Sequence, residues 1–549
     1  MRFIPPLRSI HRLASTTAAR VSPMSRPILG PAGAIRLSDD EEKFVSLLDK
    51  FAAGLEPPVE CRIAGGWVRD KLLALPSHDL DIALSTTSGY AFAESFVNFL
   101  HDNHSQVNTG RVGRVAANPD QSKHLETGTT TIMGLECDFV GLRSETYTDS
   151  RIPDQVTLGT PEEDAIRRDL TINSLFYNVH SRQVEDWTRH GLDDLEKKIA
   201  RTPLPPRQTY LDDPLRVLRT VRFSSRFGLT IQPDVAAAIK EEDIQAALRT
   251  KVSRERVGIE TYKMIEKNAI GSAELIDTLG LHSSIYMWPT EPPHPRGEAI
   301  AAARVLDVLL KREELVSAAP ASTSSPLLWL AAAVSPYRGA ITQVKTKDKP
   351  VVGVIIAESL KLSAAITDSV AHLFEAADLL DPKLQTGSRS DIGVVLQHPA
   401  VRPWQQSFVW AIAQRIVPTW QGTWAPEHEA ILQSFLALKA RIVELGLPEA
   451  IDLAPLLDGK EVLKLLDLRP SPLLKVLLDG VNVWQLDHPS GTKEECASWL
   501  LAEWNGEGRA KFEASVVTIN KTGKQRKPKE PKGETKPKEP KGGDAKRKP

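Results

Sequence analysis

The fold is decided by residues 65–81, GGWVRDKLLALPSHDLD. Residues 62–64 lead into this stretch as a predicted strand, and the two glycines carry no Cβ that would keep a phosphate away from the backbone. Residues 67–75 then predict a short helix, which Pro76 stops. The stretch is therefore predicted to be a strand, a phosphate-binding turn, a helix and the start of a second strand.

Two carboxylates end the stretch. Asp79 and Asp81 begin an apolar run that continues to Leu84. On a strand, residues i and i+2 share a face, so both carboxylates point the same way and repel each other unless a cation lies between them. Mg²⁺ prefers carboxylate and phosphate oxygens, so the pair predicts a Mg²⁺ site. For an Asp-x-Asp motif taken alone, a solvated strand face is the more common explanation.

Taken together, the glycine turn, Arg69-Asp70 and the two aspartates one helix later resemble the signature of the polymerase-β nucleotidyltransferase superfamily. More narrowly, they resemble CCA-adding tRNA nucleotidyltransferases, the eukaryotic ones in particular, and poly(A) polymerases of bacterial type. The resemblance is strong over residues 40–270 and weaker beyond. It implies an α/β N-terminal nucleotidyltransferase head, a mixed β-sheet with helices, followed by all-α neck, body and tail domains. It also implies that Gly65, Gly66, Arg69 and Asp70 position the triphosphate of a nucleotide.

A second motif of the same family is Arg167-Arg168-Asp169, followed by Asn173. The pattern of residues 162–178 predicts a helix, on which such a run is usually a solvated face. The resemblance implies instead that these residues hold the triphosphate and the ribose. The planar fork of arginine suits phosphate oxygens, and a carboxylate accepts a hydrogen bond from a 2′-hydroxyl.

Residues 210–227 predict one long helix that carries the base-selecting motif. Asp213 before Pro214 is a good helix N-cap, and Arg216 lies three residues further on the same face. Cytosine and adenine both show an amino donor beside a ring-nitrogen acceptor, whereas guanine and uracil show the reverse order. A carboxylate plus a guanidinium therefore accepts C and A and leaves groups unpaired with G and U, at about 1–3 kcal/mol for each. Arg219, next along the helix, is predicted to bind nucleotide with them.

The strand predicted at residues 135–140 bears Glu136 and Asp138, and either carboxylate is a candidate third acidic group. The resemblance favours Asp138 as catalytic, and the polar face of an edge strand is the alternative. The polar segment 102–130 matches a loop that the family associates with the switch from C to A addition. Residues 251–265 resemble the family's fifth motif, in which Arg256 is expected to brace the neck helices.

The N-terminus is rich in arginine, serine, threonine and alanine and has no acidic residue before Asp39, which is typical of a mitochondrial transit peptide. Met24 is a plausible second start that predicts an additional cytoplasmic or nuclear form. A disordered basic extension is the alternative. The predicted boundaries are 1–38 for the leader, 39–180 for the head, 181–275 for the helical neck, 276–520 for a helical body and tail that bind tRNA, and 521–549 for a disordered basic Lys/Pro/Glu tail.

Composition adds little to the functional assignment. The formal net charge is −1, so whole-chain charge does not indicate a partner, and the 3 cysteines have no metal-ligand spacing. No apolar run is long enough to span a membrane, and no feature indicates an obligate protein partner. The resemblance implies an enzyme that adds CCA to tRNA from CTP and ATP by two-metal nucleotidyl transfer. A poly(A) polymerase, a CC-only or A-only enzyme and a catalytically inactive RNA-binding protein are the alternatives.

Overall fold

The structure is a computed structural model that describes residues 26–522 except 32, 87, 116–125, 147–154 and 317–325. The leader up to residue 25, with Met24, and the tail after residue 522 lie outside the described residues, as does the middle of the polar segment 102–130. The chain divides into two compact units, one formed by residues 1–378 with 405–431 and the other by residues 379–404 with 432–549.

Eight strands form one mixed sheet in the order β1-β10-β9-β2-β3-β6-β5-β4, and three pairs form small two-stranded sheets, β7-β8, β11-β12 and β13-β14. The strands of the described ranges are β1 (Ile28–Leu29), β2 (Cys61–Ala64), β3 (Asp79–Leu84), β4 (Gly113–Val115), β5 (Thr127–Ile132), β6 (Leu135–Gly141), β7 (Arg143–Thr146), β8 (Gln155–Leu158), β9 (Leu175–Asn178), β10 (Gln183–Asp186), β11 (Ile199–Ala200), β12 (Thr230–Ile231), β13 (Ile341–Val344) and β14 (Lys347–Pro350).

Helices make up most of the rest of the described chain. The first ten are α1 (Asp39–Ala53), α2 (Gly66–Leu72), α3 (Gly89–Asn103), α4 (Pro161–Ile166), α5 (Gly191–Glu196), α6 (Pro206–Asp212), α7 (Leu215–Phe227), α8 (Pro233–Ile239), α9 (Glu242–Lys251) and α10 (Arg254–Thr278). The later ones are α11 (His282–Ile285), α12 (Glu298–Leu310), α13 (Glu313–Val316), α14 (Pro326–Val334), α15 (Val351–Ser359), α16 (Ala364–Leu379), α17 (Arg389–Gln397), α18 (Trp404–Ile416), α19 (Pro426–Glu444), α20 (Gly459–Leu465), α21 (Leu473–Asp487), α22 (Lys493–Asn505) and α23 (Gly508–Thr522).

The head sheet has one apolar face and one polar face at β3, because side chains alternate along a strand. Leu80, Ile82 and Leu84 are buried in the core that α1 and α3 complete, where Phe96 meets Phe139 edge to face with the ring centroids 6.2 Å apart. Asp79 and Asp81 are on the other face and remain exposed. The α/β head followed by helices confirms the predicted fold class, with the short hairpin β13-β14 added among the later helices.

Four local predictions differ from the structure. The helix predicted over residues 162–178 is wrong, because only α4 is helical there, a 3₁₀ turn follows at 171–173, and β9 pairs with both β2 and β10. The helix after the glycine turn ends at Leu72 instead of Leu75. The single helix predicted over 210–227 is two, α6 and α7, separated at Asp213 and Pro214. Strand β1 lies within the range predicted as leader and pairs with β10, so the folded head begins N-terminal to residue 39.

Among the described helices, none combines the length and apolar character that crossing a membrane would require.

Candidate active site

A cavity of about 710 Å³ opens on the polar face of β3, between the glycine turn and helices α7 and α10. Most of the residues predicted from sequence line it, although they come from four separate parts of the chain. Those in its wall are Gly65, Gly66, Arg69, Asp70, Asp79, Asp81, Arg167, Arg168, Asp169, Asn173, Asp213, Arg216 and Arg219. Folding therefore brings the predicted metal-binding, phosphate-binding and base-selecting groups to one site.

The carboxylates lie on neighbouring parallel strands. Asp81 is the register partner of Asp138 on β6, and Asp79 is the partner of Glu136. The side chain of Asp81 opens to the cavity, but its partial removal from bulk water raises its pKa, which Arg168 opposes and Asp79 reinforces. The pKa of Asp138 is also raised, by burial and then by Asp81 and Asp79. Asp79 and Asp81 are thus close enough to Asp138 for their charges to disfavour its ionisation.

The donor set suits a hard divalent cation. No arginine or lysine of the described ranges forms an ion pair with Asp79 or Asp81, so their charge is left for another partner. In the same ranges no group of three or more His, Cys, Asp or Glu side chains is arranged to hold a metal ion. Two aspartates would thus leave further coordination positions to nucleotide phosphates and water. Asp138 is not part of the cavity wall, and its catalytic role stays a prediction.

Only one of the two glycines is required by the backbone. Gly65 has φ 66° and ψ −114°, and a Cβ there would lie 2.7 Å from Nη1 of Arg168 and 3.3 Å from the carbonyl oxygen of Asn173. Gly66 starts α2 in an ordinary conformation, where a Cβ would meet only Nη2 of Arg69 at 3.8 Å. The space left by Gly65 is therefore occupied by a cationic side chain of the site.

Arg69 is buried and committed to protein partners. Its Nε donates to Oδ1 of Asp70 at 2.7 Å and its Nη1 to Oδ1 of Asn173 at 2.5 Å. The guanidinium also lies over the rings of Phe223 and Phe227 on α7, at 4.9 Å and 4.6 Å from the centroids. Arg69 thus links the head to α7, a role that its sequence motif did not reveal.

Arg167 and Arg168 share one carboxylate. Asp164 on α4 accepts from Nη2 of Arg167 at 2.9 Å and from Nε of Arg168 at 3.0 Å. Arg167 also pairs with Glu145 at 3.1 Å, and Nη1 of Arg168 donates to the carbonyl oxygen of Asn173 at 3.3 Å. Sequence reasoning missed Asp164, whose only local signal is its spacing of three and four residues from the two arginines.

Asp169 is buried and accepts three hydrogen bonds. The donors are the N–H of Leu170 at 2.8 Å, Nδ2 of Asn173 at 3.0 Å and Nε of Arg219 at 2.6 Å. Although burial opposes ionisation, Arg219 and these hydrogen bonds lower the pKa of Asp169 to about 2. Asp169 therefore joins the head to α7, and a ribose hydroxyl would have to use a remaining lone pair.

The base-selecting pair lies at the N-terminus of α7. Oδ1 of Asp213 accepts from the N–H of Leu215 at 3.1 Å, although α7 begins at Leu215 with Pro214 as its N-cap, one residue later than predicted. Its Oδ2 accepts from Nη2 of Arg256 at 3.1 Å, and Nη1 of the buried Arg216 donates to the carbonyl oxygen of Thr209 at 3.3 Å. Arg256 is part of α10, so its ion pair ties that helix to Asp213 in front of α7, and Arg256 also lines the cavity.

Further cations in the wall were not assigned to the site from sequence. Arg222 and Arg226 extend the arginine stripe of α7 that begins at Arg219, and both are ion-paired, with Glu260 at 2.5 Å and with Asp70 at 3.6 Å. Their spacing was visible in the sequence. Two others were found only through the fold: Arg143 carries no local motif, and Lys263 lies in the run 251–265 that resembles the fifth motif but was not singled out there.

Comparison with known proteins identifies the family. Residues 61–201 match the family model described as the poly(A) polymerase head domain, and enzymes with this head generally use a divalent metal. The tRNA nucleotidyltransferase cca2 of Schizosaccharomyces pombe is 36% identical over 483 residues, which is 85% of this chain and 98% of the relative. The mitochondrial CCA tRNA nucleotidyltransferase of Saccharomyces cerevisiae is 34% identical over 547 residues, 90% of this chain and 99% of the relative.

Among solved structures, the Thermotoga maritima CCA-adding enzyme complexed with tRNA superimposes with a TM-score of 0.55 at 18% identity, covering 85% of this chain and 96% of that one. This likeness supports the fold. Because the fungal relatives match over nearly their whole length, the chain belongs to the family of CCA-adding tRNA nucleotidyltransferases.

Proposed function

We propose that this protein completes the 3′ end of tRNA by adding C, C and A from CTP and ATP without a nucleic-acid template. One observation supports this most directly: a single cavity contains both the Asp79/Asp81 pair and the Asp213/Arg216 pair. The first pair suits metal-assisted nucleotidyl transfer, and the second suits selection of C and A.

Asp79 and Asp81 would hold Mg²⁺, the cation that best matches two carboxylates beside a triphosphate. Bound there, Mg²⁺ would lower the pKa of the 3′-hydroxyl of the tRNA and would neutralise negative charge on the departing pyrophosphate. The backbone at Gly66 leaves room for a phosphate, and Arg167 and Arg168, which also line the cavity with Arg168 beside Gly65, offer guanidinium donors.

The base is selected by side chains of α7 and α10. Asp213 is held by the N–H of Leu215 and by Arg256, so its carboxylate plane is fixed before a nucleotide arrives. It would accept the amino group of cytosine or adenine, while Arg216 donates to the ring nitrogen. A fixed reader discriminates better than a mobile one, because a mismatched base cannot induce an alternative hydrogen-bond pattern.

The decisive experiment supplies purified protein with a tRNA that ends at the discriminator base, with each nucleoside triphosphate separately and with all four together. We expect exactly three added nucleotides, C, C and A, read by sequencing the products. A long A tract would identify a poly(A) polymerase, and addition of only CC or only A would identify a narrower enzyme. No addition by the intact protein would indicate an RNA-binding protein without activity.

Asp79→Ala serves as the catalytic control in that experiment. It should remove incorporation of CTP and of ATP together, because both reactions use the same carboxylates. Loss of only one of them would contradict a shared metal site.

We also propose that the protein acts in mitochondria, with a further cytoplasmic or nuclear form that starts at Met24. The arginine-rich N-terminus supports import, and the Saccharomyces cerevisiae relative is named as mitochondrial. Tagging the C-terminus, replacing Met24 and fractionating cells tests the two starts. The non-mitochondrial pool should disappear in the variant, and an unchanged pool would contradict the second start.

A further inference from the structure

Asp164 is a buried carboxylate in the wall of the cavity, and four nitrogen atoms of neighbouring residues lie within hydrogen-bond distance of its oxygens. Oδ2 accepts the backbone N–H of Arg143 at 3.0 Å and Nη2 of Arg167 at 2.9 Å. Oδ1 faces Nε of Arg168 at 3.0 Å and its Nη2 at 2.9 Å. The contact of two guanidinium nitrogens with Oδ1 fixes the plane of the Arg168 guanidinium, so one carboxylate sets the orientation of both arginines.

Arg168 has a second possible partner in Asp81. It is close enough to lower the pKa of Asp81 against the rise that burial causes. Its N–H groups nevertheless go to Asp164 and to the carbonyl oxygen of Asn173, and no described residue forms an ion pair with Asp81. The contacts of Arg168 among the described residues thus go to Asp164 and Asn173, whereas its influence on Asp81 is one of charge alone.

We propose that Asp164 is a positioning residue that turns Arg167 and Arg168 toward the phosphates of the incoming nucleotide. The inference rests on the proposed function of the cavity. Asp164 acts through the two arginines and does not itself have to touch the nucleotide.

The test is Asp164→Asn, which keeps the size of the side chain and removes its charge. CTP binding is measured by equilibrium dialysis with EDTA present, so that no metal takes part. We expect binding to weaken about tenfold, the effect of misplacing a charged hydrogen-bond partner. In the extension assay the KM for CTP should rise by a similar factor.

The matched control is Asp194→Asn in the same head. Asp194 is fully buried and accepts from Oγ1 of Thr171 at 2.7 Å and from Nε of Arg201 at 3.0 Å, but it does not line the cavity. It should lower thermal stability without changing CTP binding. Equal effects of both variants on CTP binding would reduce Asp164 to a structural role and overturn the proposal.

A purely electrostatic role for Asp164 predicts the opposite change in CTP affinity. If Asp164 merely offset the positive charge of the arginines, its removal would make CTP bind more tightly, and that result would overturn the proposal, as would unchanged binding. Asp164→Glu covers the case in which Asp164→Asn does not fold, because it keeps the charge and displaces the carboxylate by one methylene. It should weaken CTP binding several-fold, and unaltered binding would again count against positioning.

The test of Asp164 and the test of CCA addition can fail independently of each other. Wild-type protein that binds CTP but extends no tRNA would refute CCA addition, while the comparison of CTP binding among Asp164→Asn, Asp164→Glu and Asp194→Asn would still decide the role of Asp164.

Discussion

Replacing Gly65 with alanine tests whether the glycine turn is required by the backbone. Gly65 has φ 66° and ψ −114°, a region that residues with a Cβ avoid. The new methyl group would also lie 2.7 Å from Nη1 of Arg168, a distance at which one of the two must move. The free end of a side chain moves more easily than the backbone, so Arg168 should be displaced.

The backbone strain at residue 65 is measured as a loss of stability, and the displacement of Arg168 is measured as a rise in the KM for CTP. Holding a non-glycine residue in such a conformation costs about 1–3 kcal/mol, and about 2–4 °C of melting temperature is lost for each kcal/mol in a domain of ordinary size. Displacing Arg168 breaks its contacts with Asp164 and with the carbonyl oxygen of Asn173. We therefore expect a less stable head and a KM for CTP that rises about tenfold.

Gly66→Ala is the matched control, because its Cβ would meet only Nη2 of Arg69 at 3.8 Å and because alanine is favoured over glycine in a helix by about 1 kcal/mol. Denaturant unfolding followed by tryptophan fluorescence, with CTP kinetics on the same preparations, measures both effects. Gly65→Ala should unfold at lower denaturant than wild type, and Gly66→Ala should not. Equal stability of Gly65→Ala and wild type, or a larger stability loss in Gly66→Ala, would refute the reasoning.

Three further predictions follow from the structure and the sequence. Arg256→Gln should relax base choice, because Asp213 loses the partner that fixes it. Incorporation of UTP and GTP in single-nucleotide extension should rise, as it should for Arg216→Ala. Unchanged selectivity would limit Arg256 to bracing the helices. Because the pKa of Asp169 is lowered to about 2, the stability that it contributes is complete above pH about 4 and is lost as pH falls toward about 2, in total about 2 kcal/mol. The stability difference between wild type and Asp169→Asn should therefore shrink between pH 6 and pH 3, and a constant difference would contradict this assignment. Removal of the lysine-rich residues 523–549 should flatten the salt dependence of tRNA binding in a filter assay, and an unchanged slope would show that the tail does not contact RNA.

The sequence by itself determined the parts of the site that depend on local spacing. The alternation of a strand is enough to place Asp79 and Asp81 on one face, and an aspartate before a proline is enough to place a helix N-terminus to within one residue of its observed N-cap, Pro214. The order of the motifs along the chain was enough to indicate the family and the fold class. These features need only the geometry of a few consecutive residues.

Only the tertiary structure decided what depends on distant partners. The apolar residues around Leu170 and Leu175 fit a helix or a strand equally well, and the hydrogen bonds that β2 and β10 offer on either side made residues 175–178 a strand. Arg69 meets Asn173 across 104 residues, and Arg256 meets Asp213 across 43. A sequence gives the charge and reach of such side chains, but which partner takes each donor is settled when the sheet and the helices close around the cavity, because only then are the competing partners brought within hydrogen-bond distance.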